Sequence, residues 1–257
     1  MHYAEHGSGT PILALHGAGV DHREIAGALE PIFANLPGYR RLYPDLPGMG
    51  RTPAPEAIAS NDDVLDLLLG FIDDTIGPVP LLVVGHSYGG RLVILAAAER
   101  PEQVASIACF EPVSFGVLRS TGEREGIEEL LAYNDDGLFL DDSFGGSRAW
   151  VERFVDYWNG KGSFADMSER EQDLFCASGR KMFEEVRETA LDEIPHTAYV
   201  DALGHLPLLT LSGAESTVAG RSCARVLAEV WPGGRHLEIA DVGHMGPVLA
   251  ASEVARA

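Results

Sequence analysis

Short apolar runs alternate with longer amphipathic stretches along the chain, and that alternation sets the expected fold. Pro11 to Leu15, Tyr39 to Tyr43, Leu81 to Val84, Val104 to Phe110, Leu206 to Leu211 and Leu237 to Ile239 read as strands, and His2 to Glu5 as an edge strand. The most apolar of these, such as Leu81-Leu82-Val83-Val84, suit parallel strands buried on both faces. Between strands the spacing changes to three and four residues. Ile25, Leu29, Ile32, Phe33 and Leu36 mark a helix from about Asp21 to Asn35. Asn61 is expected to cap a second helix carrying Val64, Leu65, Leu67, Leu68, Phe71 and Ile72, with Asp62 and Asp63 complementing its dipole. Further helices run from Arg91 to Arg100, stopped by Pro101, and from Val218 to Val230.

Strand–helix alternation predicts an α/β fold: a mostly parallel central sheet with helices on both faces. The alternation breaks after Pro112. Trp150, Phe154 and Trp158 stand at i, i+4 and i+8 with Val151 and Val155 beside them, which is one face of a helix; Met182, Phe183 and Val186 suggest another. The expected organisation is a core of residues 1–112 and 203–257, with residues 113–202 inserted as a helical lid.

The candidate chemistry lies where the Leu81 strand ends. Gly85-His86-Ser87-Tyr88-Gly89 is a G-x-S-x-G stretch between a strand and a helix. A serine on a sharp strand-to-helix turn needs small neighbours two positions away, because strand and helix pass close together there. Gly220-Arg221-Ser222-Cys223-Ala224 is loosely similar but follows polar turn residues, so Ser222 reads as a helix-surface serine.

Four motifs in order, HGAG (His16 to Gly19), DLPGMG (Asp45 to Gly50), GHSYGG (Gly85 to Gly90) and DVGHMGP (Asp241 to Pro247), make the chain resemble the α/β-hydrolase superfamily, in its serine-nucleophile branch. EPVSFGVL (Glu111 to Leu118) and YWNGKGSF (Tyr157 to Phe164) look like a bacterial branch of it. The resemblance implies Ser87 as nucleophile, His244 as its base, and the backbone N–H groups of Ala18 and Tyr88 as the oxyanion hole. A histidine suits the base because it titrates near neutrality. His16 is expected to be structural and His86 to be packing; His22, His196, His205 and His236 occupy no recognised position.

One departure stands out. The superfamily's acid often follows the strand represented by Leu206 to Leu211 as G-x-x-D, but here Gly213-Ala214-Glu215-Ser216 puts a serine at that position. Two carboxylates compete. Glu215 is one residue early. Glu111 ends the Val104 to Phe110 strand, and in some branches the acid sits there. A carboxylate leaving an apolar parallel strand at its C-terminal end also needs a partner, since ligands of open α/β sheets bind at that edge and an unpaired buried charge is costly. We expect Glu111, with Glu215 as the alternative.

Composition narrows the classes. The chain has 257 residues and a formal net charge of −20, which disfavours nucleic acid and anionic membranes as partners. Cys109, Cys176 and Cys223 are too few and too scattered for a disulfide framework or zinc cluster. With no signal-peptide pattern and no apolar run of membrane-spanning length, a cytoplasmic location is expected. No metal or cofactor is expected, the partner is a small molecule, and the oligomeric state stays open. The leading expectation is hydrolysis of a small apolar or neutral carboxylic ester through an acyl-enzyme on Ser87, with Trp150, Phe154, Trp158 and Phe164 as candidate pocket residues. A carbon–carbon bond hydrolase or a cofactor-free perhydrolase would use the same residues. A ligand receptor on this fold with little turnover is the reading from another class. A serine nucleophile argues against dehalogenases and epoxide hydrolases, which resemble this fold but use aspartate.

Overall fold

The strands β1 (Tyr3–Gly7), β2 (Thr10–Leu15), β3 (Tyr39–Pro44), β4 (Leu81–His86), β5 (Val104–Phe110), β6 (Leu208–Gly213) and β7 (Arg235–Ile239) form one sheet in the order β1-β3-β2-β4-β5-β6-β7. β1 runs antiparallel to β3 at the edge, and the other neighbours are parallel. This computed structural model describes residues 1–34, 36–54 and 60–256; Asn35, where the first helix was expected to end, lies outside them.

Both faces of the sheet are covered, which is why its central strands are apolar at successive positions. Leu13 and Leu15 of β2 belong to the large core, while Ala14 between them packs in a smaller cluster with Ile25 and Tyr43. Ile25 comes from α1 (Arg23–Phe33), whose neighbours in sequence order are α2 (Asn61–Thr75) and α3 (Ser87–Glu99). Between β5 and β6 the chain is helical: α4 (Gly116–Thr121), α5 (Glu125–Tyr133), α6 (Arg148–Asn159), α7 (Ser163–Asp166), α8 (Glu169–Ala177), α9 (Gly179–Ala190) and α10 (His196–Leu203). α11 (Val218–Val230) precedes β7, and α12 (Gly246–Leu249) and α13 (Ala251–Arg256) close the described chain.

Several local expectations are corrected. Ser60, not Asn61, caps α2: its hydroxyl accepts the Asp63 N–H, and the Asp63 carboxylate accepts the Ser60 N–H. A serine three residues before an acid is a capping box and outcompetes the neighbouring asparagine. Asn61 is instead a buried first helical residue whose Oδ1 accepts the Tyr88 phenol at 2.7 Å. α1 ends at Phe33, two residues after Pro31, so Leu36 falls outside it and is exposed. The strand expected at Leu206 starts at Leu208, because the Leu206 N–H is taken by the Leu203 carbonyl at the end of α10. Ser222 is buried and donates to Glu123 at 3.1 Å, so it is not a surface serine.

Glu185 on α9 is a buried carboxyl outside the sheet edge. It is 1% exposed, neither oxygen accepts a hydrogen bond from the described residues, and the Lys181 ammonium comes only to 3.5 Å. Burial pushes its carboxyl up from 4.5 to about 8, against a smaller pull from Lys181. Between those two values the unfolded chain has released a proton that the fold retains, so stability falls as pH rises through this window. Glu185→Gln is therefore expected to raise the melting temperature by on the order of 5 °C at pH 8, with the gain vanishing near pH 4. Thermal melts across that range check it.

Candidate active site

Ser87 sits where β4 hands over to α3, with its backbone in the left-handed region at φ 53°. A side chain there is strained, and such residues persist only where the surroundings fix them. The surroundings are backbone. A Cβ on Gly85 would come within 2.5 Å of the Gly89 carbonyl oxygen, and one on Gly89 within 2.4 Å of the His16 carbonyl oxygen. The two glycines thus let β4, α3 and the end of β2 converge.

Glu111, the residue after β5, is also left-handed, at φ 44°, and has no exposed surface. Its Oε1 accepts the Gly213 N–H at 2.8 Å, and its Oε2 accepts the Ser216 hydroxyl at 2.6 Å. Oε2 also lies 2.6 Å from His244 Nδ1, and His244 Nε2 lies 3.0 Å from Ser87 Oγ. The structure thus brings Glu111, His244 and Ser87 into one hydrogen-bonded line, from three segments far apart in sequence. Ser216, at the position where an aspartate was missed, is a donor to this carboxylate. Glu215 is exposed, and its backbone N–H bonds the Val242 carbonyl.

Burial pushes the Glu111 carboxyl up, but the bonds from His244, Ser216 and Gly213 outweigh it and hold the group below its ordinary value. Burial also holds the His244 imidazole below its ordinary 6.5, with Glu111 opposing. A neutral imidazole with Nδ1–H toward a carboxylate leaves Nε2 free to accept the serine proton.

His86, expected to be packing, does more. Its Nε2 lies 3.0 Å from the His244 carbonyl oxygen, and its Nδ1 lies 2.9 Å from Glu24 Oε1, off the line of a directed hydrogen bond. The other oxygen of Glu24 accepts the Gly17 N–H at 3.3 Å. Burial pulls the His86 imidazole down, but the Glu24 charge outweighs it and raises the group above its ordinary value. These contacts of His86 and Glu24 thus tie the loop after β2 to the loop carrying His244. The sequence signal was available only as a polar residue inside the elbow, with its partner on α1. His16 is buried, with Nδ1 on the Gly17 carbonyl and Nε2 accepting the Leu46 N–H at 3.0 Å, a structural position.

Among the described residues, His2, His22 and Asp45 have the composition to hold a cation. Asp45 is fully buried and held at about 2: burial raises it, and the backbone N–H groups of His22 and Arg51 with the two rings lower it. Those four donors, at 2.7–3.0 Å, fill the carboxylate. The cluster fastens the DLPGMG loop to the N-terminus and to the start of α1.

A narrow cavity of about 40 Å³ opens on Ser87. Ala18 and Tyr88 line it beside the serine, and the opposite walls are mostly apolar, including Val113, Phe139, Phe154 and Trp158. Trp150 and Phe164, expected in the pocket, are elsewhere. Trp150 stacks between Phe139 and Phe154 and donates its indole N–H to the Phe139 carbonyl; Phe164 packs under Arg148. Tyr133 and Tyr157, which the periodicity did not single out, line the cavity.

Against known protein families, residues 12–257 match the model of the alpha/beta hydrolase family. The chain belongs to that family. Among its relatives is the lipase LipV of Mycobacterium tuberculosis, 35% identical over 139 residues, 52% of this chain and 49% of that one. The match thus takes in about half the length of that lipase. Lipase 1 of Psychrobacter immobilis is 24% identical over 263 residues, 99% of this chain and 78% of that protein. In fold, the chain resembles the bromoperoxidase of Bacillus anthracis, with a TM-score of 0.75 at 19% identity, covering 99% of this chain and 92% of that one. No described helix is long and apolar enough to cross a membrane.

Proposed function

We propose that the protein is a serine hydrolase that cleaves small, largely apolar carboxylic esters. The observation carrying this reading is the line Glu111–His244–Ser87 ending at an apolar cavity. In the proposed cycle, Ser87 Oγ attacks the ester carbonyl while its proton passes to His244 Nε2. The backbone N–H groups of Ala18 and Tyr88 take the oxyanion; one such donor is typically worth about 3–4 kcal/mol. His244 returns the proton to the departing alkoxide, and water then repeats the sequence to free Ser87. Glu111 holds the imidazole in the tautomer with Nε2 open and stabilises the imidazolium. Residues 113–202 act as the lid in this reading, since Phe139, Phe154 and Trp158 wall the cavity over Ser87.

The cavity volume bears on substrate size. About 40 Å³ holds roughly three water-sized spheres, so short acyl chains are expected to fit and long ones to force the walls apart. A panel of p-nitrophenyl esters checks this: kcat/KM is expected to fall at least about tenfold from acetate to octanoate. On the best substrate, kcat/KM is expected to rise with pH to a plateau, with a midpoint below 6.5, because burial holds His244 below that value and the base must be neutral. No turnover of any ester by folded protein would sink the reading.

A further inference from the structure

Trp158, at the last turn of α6, lies face-on to His244, with ring centroids 3.9 Å apart and planes inclined by 25°. It is a wall of the narrow Ser87 cavity and also of a second, larger cavity of about 650 Å³, which His244 borders as well. The imidazole is therefore held on several sides. Glu111 meets its Nδ1 from the end of β5, and Ser87 meets its Nε2 from the start of α3. The His86 ring approaches from the end of β4, with centroids 4.8 Å apart, backed by Glu24 of α1. The exposed Glu215 and Asp241 border the outer cavity. The indole lies over one face of the imidazole, and both residues border that cavity.

A helix-surface tryptophan needs no histidine to be buried, and a flat stack this close has an electrostatic consequence. The face of an indole is negative, and a cation over it is stabilised, more so when desolvated. We infer that Trp158 is a positioning residue whose indole face fixes the His244 ring and stabilises the imidazolium formed during acyl transfer. The inference rests on the serine-hydrolase reading. As the bond from Ser87 Oγ to the acyl carbon forms, the hydroxyl proton moves to His244 Nε2. As the bond to the leaving oxygen breaks, that proton moves to the oxygen. Trp158 exchanges neither atoms nor electrons in either step; it acts on the charge in between.

Removing the side chain would mix lost packing with lost charge stabilisation, so the test keeps the shape. Tryptophans bearing one, two and three fluorines, placed at position 158 of the full chain, weaken the negative face with little change in bulk. The expected result is a stepwise fall in kcat/KM, reaching about tenfold at the last member. The acid limb is expected to move to lower pH along the series, because an imidazolium that is less stabilised gives up its proton more readily. An independent readout is tryptophan fluorescence. A protonated imidazole quenches a stacked indole, and Trp150 and Trp231 have no histidine among their ring contacts in the described residues. Acidification is expected to quench a component that Trp158→Phe and His244→Asn both abolish.

A flat fluorination series in an active enzyme, with an unmoved pH profile, overturns the inference and leaves Trp158 as a wall. Absence of all turnover together with intact, Trp158-dependent quenching overturns the hydrolase reading, and the catalytic part of the inference with it.

Discussion

Ser87→Ala is expected to lower kcat on short esters by on the order of 10⁶-fold, with little change in KM. The hydroxyl is the group that joins the substrate covalently in this account, and among the described residues no other hydroxyl is hydrogen-bonded to His244. The fold is expected to survive. The alanine occupies the same strained turn, whose shape comes from the close passage at Gly85 and Gly89 rather than from the hydroxyl. Stopped assays at high enzyme concentration, with thermal melts as the control for folding, check both halves. A variant that keeps more than about one hundredth of the activity contradicts the assignment of Ser87, since a residue acting only by contact does not lose so much.

Glu111→Gln is expected to cost about 10⁴-fold in kcat, whereas Glu215→Gln leaves it within a few-fold. The difference follows from the charge and its partners. Both oxygens of Glu111 accept, and an amide has only one acceptor oxygen, so its NH2 faces either the Gly213 N–H or the donors of His244 and Ser216. It no longer favours the tautomer with Nε2 open, and it does not balance the imidazolium. Glu215 is exposed, and losing its charge disturbs no bond to His244. Some stability is expected to go with Glu111, because its carboxylate also holds the Gly213 N–H at the end of β6. A Glu111→Gln variant with near-normal kcat, or a collapse confined to Glu215→Gln, contradicts the account.

Much of this was legible in the sequence because the signals are local. Leu81 to Val84 is a buried strand by its composition, and a glycine on each side of Ser87 reports a backbone crossing that a single Cβ would block. Glu111 was legible because a carboxylate at the end of an apolar strand demands a partner. The remaining features are products of the tertiary fold. Ser216 carries no mark that it will donate to Glu111, a residue 105 positions away. His86 acquires its role only when Glu24 of α1 and the His244 carbonyl arrive beside it. The aromatic periodicity of α6 showed which residues share a face, but not which of them meet the cavity. Trp150 is consumed by stacking on Phe139 and Phe154, and Trp158, two turns on, reaches the histidine. The cap of α2 is Ser60 rather than the expected Asn61, because both are good caps and only the reciprocal bond with Asp63 separates them.

The central claim is that the fold activates the Ser87 hydroxyl. Treatment of the native protein with a fluorophosphonate probe, followed by peptide mapping, tests it most directly. The account predicts one adduct, on Ser87, that fails to form after unfolding or in the His244→Asn variant. Folded protein that stays unlabelled, or an adduct on another residue, would contradict it.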